Sequence, residues 1–373
     1  MIGTARKTRV EAGKTLVVVG PASFELIEGE ASVLGASLDP SRNIVARGKQ
    51  TPVEIHSTSS FRISLGEDAS VEELDGSTIP LSWREAGSAL VELGEGLVVV
   101  IGGADTGKTT LCTYLSNFLI LKNRQVAVVD ADIGQTDLGP PTTMAAGEVK
   151  TNVVNLSQVN PSERLFIGLT SPSHARGKVI RSVKRLVDYH TEPGKTVIVN
   201  TDGWIAESDA VLYKLQMLDE LEPDITLGIG GSEISPILQA GNRTSLLVGS
   251  PDTIKERTWV DRRELRSLGY RKYLAGASLK TLRIDGVKLR RCLTPENLVL
   301  DHFPRSQLEN LKDAIVGFLD ADDFLQEIGI LKDVIPSARM AKIWSRILDI
   351  PAAIEIGDVK LNNDGRELGH LER

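Results

Sequence analysis

Gly96-Leu97-Val98-Val99-Val100-Ile101-Gly102-Gly103-Ala104-Asp105-Thr106-Gly107-Lys108-Thr109 runs from an unbroken apolar stretch into a glycine turn and then to a lysine. The part from Gly102 to Thr109 fits the spacing G-x-x-x-x-G-K-[ST], and each position has a physical reason. Glycines let backbone N–H groups curl round phosphate oxygens with no Cβ in the way. A helix expected from Lys108 to about residue 122 aims its positive N-terminus at the same anion. Lys108 neutralises β/γ-phosphate charge, and the Thr109 hydroxyl is placed to ligate Mg²⁺. Gly102, Gly103, Ala104, Asp105, Thr106, Gly107, Lys108, Thr109 and Thr110 are therefore read together as a cradle for ATP and its Mg²⁺. Chance produces this spacing in about 2 per cent of chains of this length. The strand before it and the helix after it make chance the poorer explanation.

Further continuous apolar runs lie at 126–129, 196–199, 225–229 and 245–248, with helical patterns between them. Continuous rather than alternating apolar strands indicate a parallel sheet buried on both faces. Residues 93–280 are accordingly expected to form an α/β domain around a P-loop NTPase parallel sheet. Residues 1–92 read differently, with short runs at 15–19, 32–34, 43–45, 53–56 and 61–65 separated by Gly, Pro, Asp and Ser. That spacing suggests a small sandwich or barrel. Residues 281–373 mix strand-like runs at 281–284 and 352–356 with a helix-like piece at 305–321, and are expected to form a small C-terminal α+β domain.

The chain has 373 residues, enough for two or three domains. Its 41% apolar and 25% charged composition is ordinary for a globular protein. The two cysteines, Cys112 and Cys292, stand far apart without a CxxC or CxxH, which argues against a disulfide framework or zinc site and for a reducing interior. Residues 1–9 carry charge but no apolar run of secretory type follows them, and no stretch reaches the ~20 apolar residues of a membrane span. The expectation is a soluble, cytoplasmic protein with no membrane partner. A net charge of −7 argues against coating nucleic acid over the whole surface, but leaves room for a local basic groove.

The run at 126–129 ends in Asp130-Ala131-Asp132-Ile133-Gly134-Gln135. Ligands of open α/β sheets bind at that strand edge. A plain P-loop ATPase needs one acid there for magnesium; a kinase needs a second to accept a proton from an alcohol. Asp132 is read as that base. Asp130 is assigned to the Mg²⁺ shell through water, with a loop cap as its alternative. Gln135 is a candidate for positioning the acceptor, or else for a loop hydrogen bond. The run at 196–199 leads into Asn200-Thr201-Asp202-Gly203-Trp204, where a large ring at the ligand edge could stack on a nucleobase. A core anchor is the competing reading of Trp204. Thr170, in Gly168-Leu169-Thr170-Ser171-Pro172, could offer a donor to an acceptor strand. Between Lys255 and Lys272 lie Arg257, Arg262, Arg263, Arg266 and Arg271, a concentration of forks that suits a phosphoryl group. That segment is read as a mobile cationic lid, against the plainer alternative of a solvated helix with local ion pairs. Arg257, Arg262 and Arg266 are its catalytic candidates.

In their order along the chain, these motifs resemble those of the polynucleotide 5′-hydroxyl kinase family, which includes the RNA kinase subunit of pre-mRNA cleavage and tRNA splicing and smaller archaeal enzymes. The resemblance rests on Gly102–Thr109, on the D-x-D-x-G-Q of Asp130 to Gln135, on the turn at Thr170, on the T-x-G-W of Thr201 to Trp204, and on arginines spaced by five and four at Arg257, Arg262 and Arg266. It implies a small β-domain, a central P-loop domain and a small C-terminal domain. It also implies transfer of the ATP γ-phosphate to the 5′-hydroxyl end of single-stranded RNA or DNA. A non-catalytic, ATP-bound scaffold of an RNA-processing complex is the alternative. In relatives the N-terminal domain contributes to adenine binding, and local similarity offers Lys49. The chain departs from some relatives in Leu138-Gly139-Pro140-Pro141-Thr142-Thr143, where a single proline followed by glycine is usual. GTP is disfavoured, because Asn200-Thr201-Asp202-Gly203 lacks the lysine and the correctly placed acid of N-K-x-D.

Overall fold

The computed structural model describes residues 5–40, 42–46, 50–254, 256–297 and 305–371. At its centre lies a seven-stranded sheet in the order Glu163–Phe166, Thr143–Glu148, Gln125–Asp130, Lys195–Asn200, Gly96–Gly102, Ile225–Ile229, Ser245–Val248. The last five are parallel, as their unbroken apolar runs require. In the strand Gly96–Gly102, Val98 and Val100 join one core, while Val99 and Ile101 join the other. The period of two thus feeds both faces of the sheet. The helices Leu81–Leu93 and Lys108–Leu121 cover one face, and Arg176–His190 and Ser208–Leu221 the other. The fold is the expected mixed α/β one, with a central P-loop sheet and β-rich flanks.

Two antiparallel strands, Thr143–Glu148 and Glu163–Phe166, extend the sheet beyond the runs read from sequence. Small residues hide the first, because Thr-Met-Ala-Ala-Gly-Glu has little β-propensity, and the second, Glu-Arg-Leu-Phe, is only four residues long. Packing supplies what propensity lacks: every residue of the first strand except Glu148 is buried.

The N-terminal segment forms two antiparallel sheets, of four and five strands. Phe24 and Ile63 from one sheet, and Leu16 and Val53 from the other, share a core that continues into the helix-covered face of the central sheet. The C-terminal segment is an eight-stranded sheet, beginning with Ser278–Arg283. The helix-like piece expected over 305–321 is two elements, a short helix Arg305–Asn310 and a fully buried strand Ala314–Leu319. Ala-Ile-Val-Gly-Phe-Leu, hydrogen-bonded to neighbours on both sides, is a central strand whose continuous apolarity imitates a helix segment. Gly317 lets it approach the central sheet, since a Cβ there would lie 2.5 Å from the Phe166 ring.

Cys112 and Cys292 are buried free thiols. Among the described residues no helix is long and apolar enough to cross a membrane. Trp83 ties the first helix to the sheet. It is 0% exposed, and its indole N–H donates to the Gly249 carbonyl at 2.8 Å. Trp83→Ala should cost about 3–5 kcal/mol in chemical denaturation. A loss below about 1 kcal/mol would mean that this contact does not anchor the helix.

Candidate active site

The site assembles at the C-terminal edge of the parallel strands, where three chain turns meet. The phosphate loop closes the strand Gly96–Gly102 and opens the helix Lys108–Leu121. Gly107 sits at φ +100°, in the left-handed region that the turn requires. Lys108 is 6% exposed and donates to the Gly103 carbonyl at 2.6 Å. Burial holds its ammonium below the usual lysine range, while the Asp132 carboxylate pulls the other way.

Asp130 ends the strand Gln125–Asp130, which Lys195–Asn200 separates from Gly96–Gly102, and Asp132 lies in the turn that follows it. Asp130 is 0% exposed and heavily hydrogen-bonded. One oxygen accepts from Asn200 Nδ2 at 2.9 Å, and the other from Thr136 Oγ1 at 2.9 Å and Asp137 N at 2.7 Å. Burial first, then Asp137 and Asp132, pushes its pKa up to about 6. Asn200 also reaches Thr109 Oγ1 at 3.3 Å, so the loop threonine and Asp130 are held together. Asp132 uses only one oxygen locally: Oδ1 accepts from Gly134 N at 3.1 Å and Gln135 N at 3.0 Å. Its Oδ2 has no hydrogen bond among the described residues. Burial raises its pKa, and Lys108 opposes the rise.

The third turn follows the strand Lys195–Asn200. Asp202 caps Trp204 N at 3.0 Å and takes a salt bridge from the fully buried Lys214 at 2.8 Å. The Tyr213 hydroxyl donates to the same carboxylate at 2.9 Å. Gly203 presses on the phosphate loop, since a Cβ there would lie 2.7 Å from the backbone of Ala104. Trp204 thus stands beside the cradle, half-buried, with its ring 5.7 Å from that of Tyr213 and its indole N–H on Glu207. Thr170 stands against the acidic loop: its carbonyl is 2.9 Å from where a Cβ of Gly134 would be.

The arginine segment is a helix, Trp259–Leu274, started by a capping box between Thr258 and Asp261. It is docked on three sides. Arg257 and Arg262 pair with Asp105 of the phosphate loop at 3.3 and 2.7 Å. Arg266 donates through Nε and Nη2 to Glu367 of the C-terminal sheet at 2.7 and 2.9 Å. Arg262 and Arg266, four residues apart, therefore reach in different directions. On the third side, Gln135 Nε2 donates to the Arg262 carbonyl at 3.2 Å, and Pro141 packs where Gly269 has no side chain. Gln135 is thus spent on the lid helix, and the unusual second proline has a structural use. Lys49, offered for adenine, lies outside the described residues.

The sequence places Asp105 in the ATP cradle with the other loop residues but does not show its pairing with the arginines, and it assigns no site role to Asn200, the Asp202–Lys214 pair or Glu367. An acid inside a phosphate loop was the one visible signal. The others acquire meaning only through contacts distant in sequence.

Residues 102–276 match the model of the mRNA cleavage and polyadenylation factor CLP1 P-loop family. The chain is 26% identical to a polyribonucleotide 5′-hydroxyl-kinase of Pyrococcus horikoshii over 324 residues, covering 74% of this chain and 89% of that one. It is 27% identical to the polyribonucleotide 5′-hydroxyl-kinase of Methanocaldococcus jannaschii over 325 residues, with 74% and 90% covered. A solved structure of Clp1p in complex with Pcf11p shares the fold, with a TM-score of 0.73 over 96% of this chain and 99% of that one, at 15% identity.

Gly203→Ala should drive a methyl group into the phosphate loop while leaving the folded core intact. Equilibrium ATP binding should weaken on the order of tenfold, about 1.4 kcal/mol, with the thermal midpoint nearly unchanged. Unaltered affinity would separate this turn from the cradle.

Proposed function

We propose that this chain, a member of the CLP1 P-loop family, is an ATP-dependent polynucleotide 5′-hydroxyl kinase acting on single-stranded RNA or DNA ends. The observation that carries the reading is Asp132. A second carboxylate stands beside the phosphate-loop lysine, with one oxygen fixed by backbone N–H groups and the other uncommitted. A kinase uses such an oxygen to take the proton of an attacking alcohol. The relatives named polyribonucleotide 5′-hydroxyl-kinases support the same acceptor.

In this reading Lys108 and the loop N–H groups hold the ATP phosphates. The 5′-oxygen attacks the γ-phosphorus as its proton passes to Asp132 Oδ2. The bond to the β–γ bridging oxygen breaks, and ADP leaves. The lid guanidinium groups offset the charge that spreads over the phosphoryl oxygens, and the docked lid helix keeps water out. Trp204 offers the open part of its half-buried ring to the terminal base, and Thr170 lines the approach to Asp132.

Mg²⁺ fits the donors present. Thr109 Oγ1, Asp130 and Asp132 are hard oxygen groups, and Asn200 Oδ1 is buried with no hydrogen-bond partner among the described residues, a position suited to a water of the metal shell. Among the described residues no cluster of three or more His, Cys, Asp or Glu side chains could hold a metal by itself. A P-loop cation takes most of its ligands from phosphate and water, so the set agrees with Mg²⁺. When bound, it would supply positive charge to the β- and γ-phosphate oxygens. A cytoplasmic setting suits the two buried free cysteines.

The test is transfer of label from γ-labelled ATP to an oligonucleotide bearing a 5′-hydroxyl, with a 5′-phosphorylated one as control. Lys108→Ala and Asp132→Asn should each lower turnover by on the order of 10²–10⁴. Trp204→Ala should chiefly raise the KM for RNA, on the order of tenfold, through loss of about 1–3 kcal/mol of stacking. ATP binding without transfer to any polynucleotide would overturn the reading and leave a nucleotide-locked scaffold in its place.

A further inference from the structure

The phosphate loop contains a residue that its task does not call for. Asp105 stands in the left-handed region at φ +56°, where glycine is the inexpensive choice. It also brings a negative charge into a turn built for an anion, which repels the triphosphate. Both features are costs, and they persist where the surrounding structure makes use of them.

The use is visible in the contacts of Asp105. Its carboxylate is 8% exposed and faces the segment that leads into the lid helix. Oδ2 accepts from the backbone N–H of Arg257 at 2.9 Å and from Arg262 Nη2 at 2.7 Å, and Oδ1 accepts from Arg257 Nη1 at 3.3 Å. Each guanidinium gives this carboxylate one nitrogen and keeps its remaining donors free of other partners among the described residues. Their side chains remain 27% and 34% exposed. Arg266 differs: Glu367 takes two of its nitrogens, and its side chain is only 15% exposed. A planar fork held at one nitrogen is oriented but unspent.

We propose that Asp105 is a positioning residue that orients Arg257 and Arg262 so that their free N–H groups meet the phosphoryl group in transit. The proposal deepens the kinase reading and rests on it. One carboxylate gripping two forks and a backbone amide sets the height and tilt of the lid over the loop that binds ATP. Without it, ATP still sits in the cradle, but the lid arginines lose their fixed approach.

The test uses the full chain and three readouts. Asp105→Asn keeps the shape and loses the charge; Asp105→Gly also relieves the backbone, so it should fold at least as well as the parent. Both variants should bind ATP as tightly as the parent or more tightly, because a like charge has gone. Single-turnover transfer to 5′-hydroxyl RNA should fall at least tenfold, with a larger share of ATP lost to water. In an Arg257→Ala/Arg262→Ala background the same changes should have little further effect, since Asp105 acts through those two side chains. Hydrogen exchange at the Arg257 amide, measured without nucleotide or RNA, should be slow in the parent and fast in Asp105→Gly.

Transfer at the parental rate in Asp105→Gly would overturn the proposal. So would a loss of equal size in the arginine-free background, or an ATP affinity that falls in step with the rate. The amide exchange is independent of RNA, so a parent that transfers to no 5′-hydroxyl end would sink the kinase reading, while the exchange still decides whether Asp105 holds the lid.

Discussion

A site built to grip a polyanion gathers cations that need partners before the anion arrives. This constraint organises the working edge of the molecule. Lys108 leans on the carbonyl of Gly103 and feels the field of Asp132. Arg257 and Arg262 share Asp105, Arg266 takes Glu367, and the fully buried Lys214 takes Asp202. Unpaired, each buried cation would cost several kcal/mol of desolvation. Paired this way, the arginines also fix the lid helix on the phosphate loop, and Lys214 fixes the Trp204 turn on the helix Ser208–Leu221, before any substrate binds.

The carboxylate partners come from different parts of the chain, and that gives the flanking C-terminal sheet a role. The turn before Glu367–His370 receives the lid helix: Arg263 donates to the Glu367 carbonyl, Arg271 to the Asp364 carbonyl, and Gly365 lets the backbone of Arg271 come close. On its other flank the lid helix meets Pro141 and Gln135. The expected mobile lid is therefore a docked helix. It has separate anchor points on the phosphate loop, the acidic loop and the C-terminal sheet, and opening it would break charged pairs on two sides.

Much of this was legible in the sequence, for a physical reason. The phosphate loop, the paired aspartates and the Thr201–Trp204 turn are local devices whose geometry is written in consecutive residues. The parallel sheet was legible because burial on both faces demands continuous apolar strands. The strand Ala314–Leu319 was misread as helix for the same reason, since a fully buried run carries no period. The pairing of Asp105 with Arg257 and Arg262 spans 152 and 157 residues, and no local pattern announces it. Charge density at 255–272 could suggest a lid, but not which carboxylates would hold it.

In the kinase reading, Lys108, Asp132 and the lid arginines converge on one alcohol. A crystal structure with a non-hydrolysable ATP analogue, Mg²⁺ and a short 5′-hydroxyl RNA measures that convergence directly. The 5′-oxygen should lie within about 3 Å of Asp132 Oδ2 and in line with the γ-phosphorus, with a guanidinium of Arg257 or Arg262 on a γ-phosphate oxygen. A terminal hydroxyl bound away from Asp132, or lid arginines turned from the triphosphate, would contradict it.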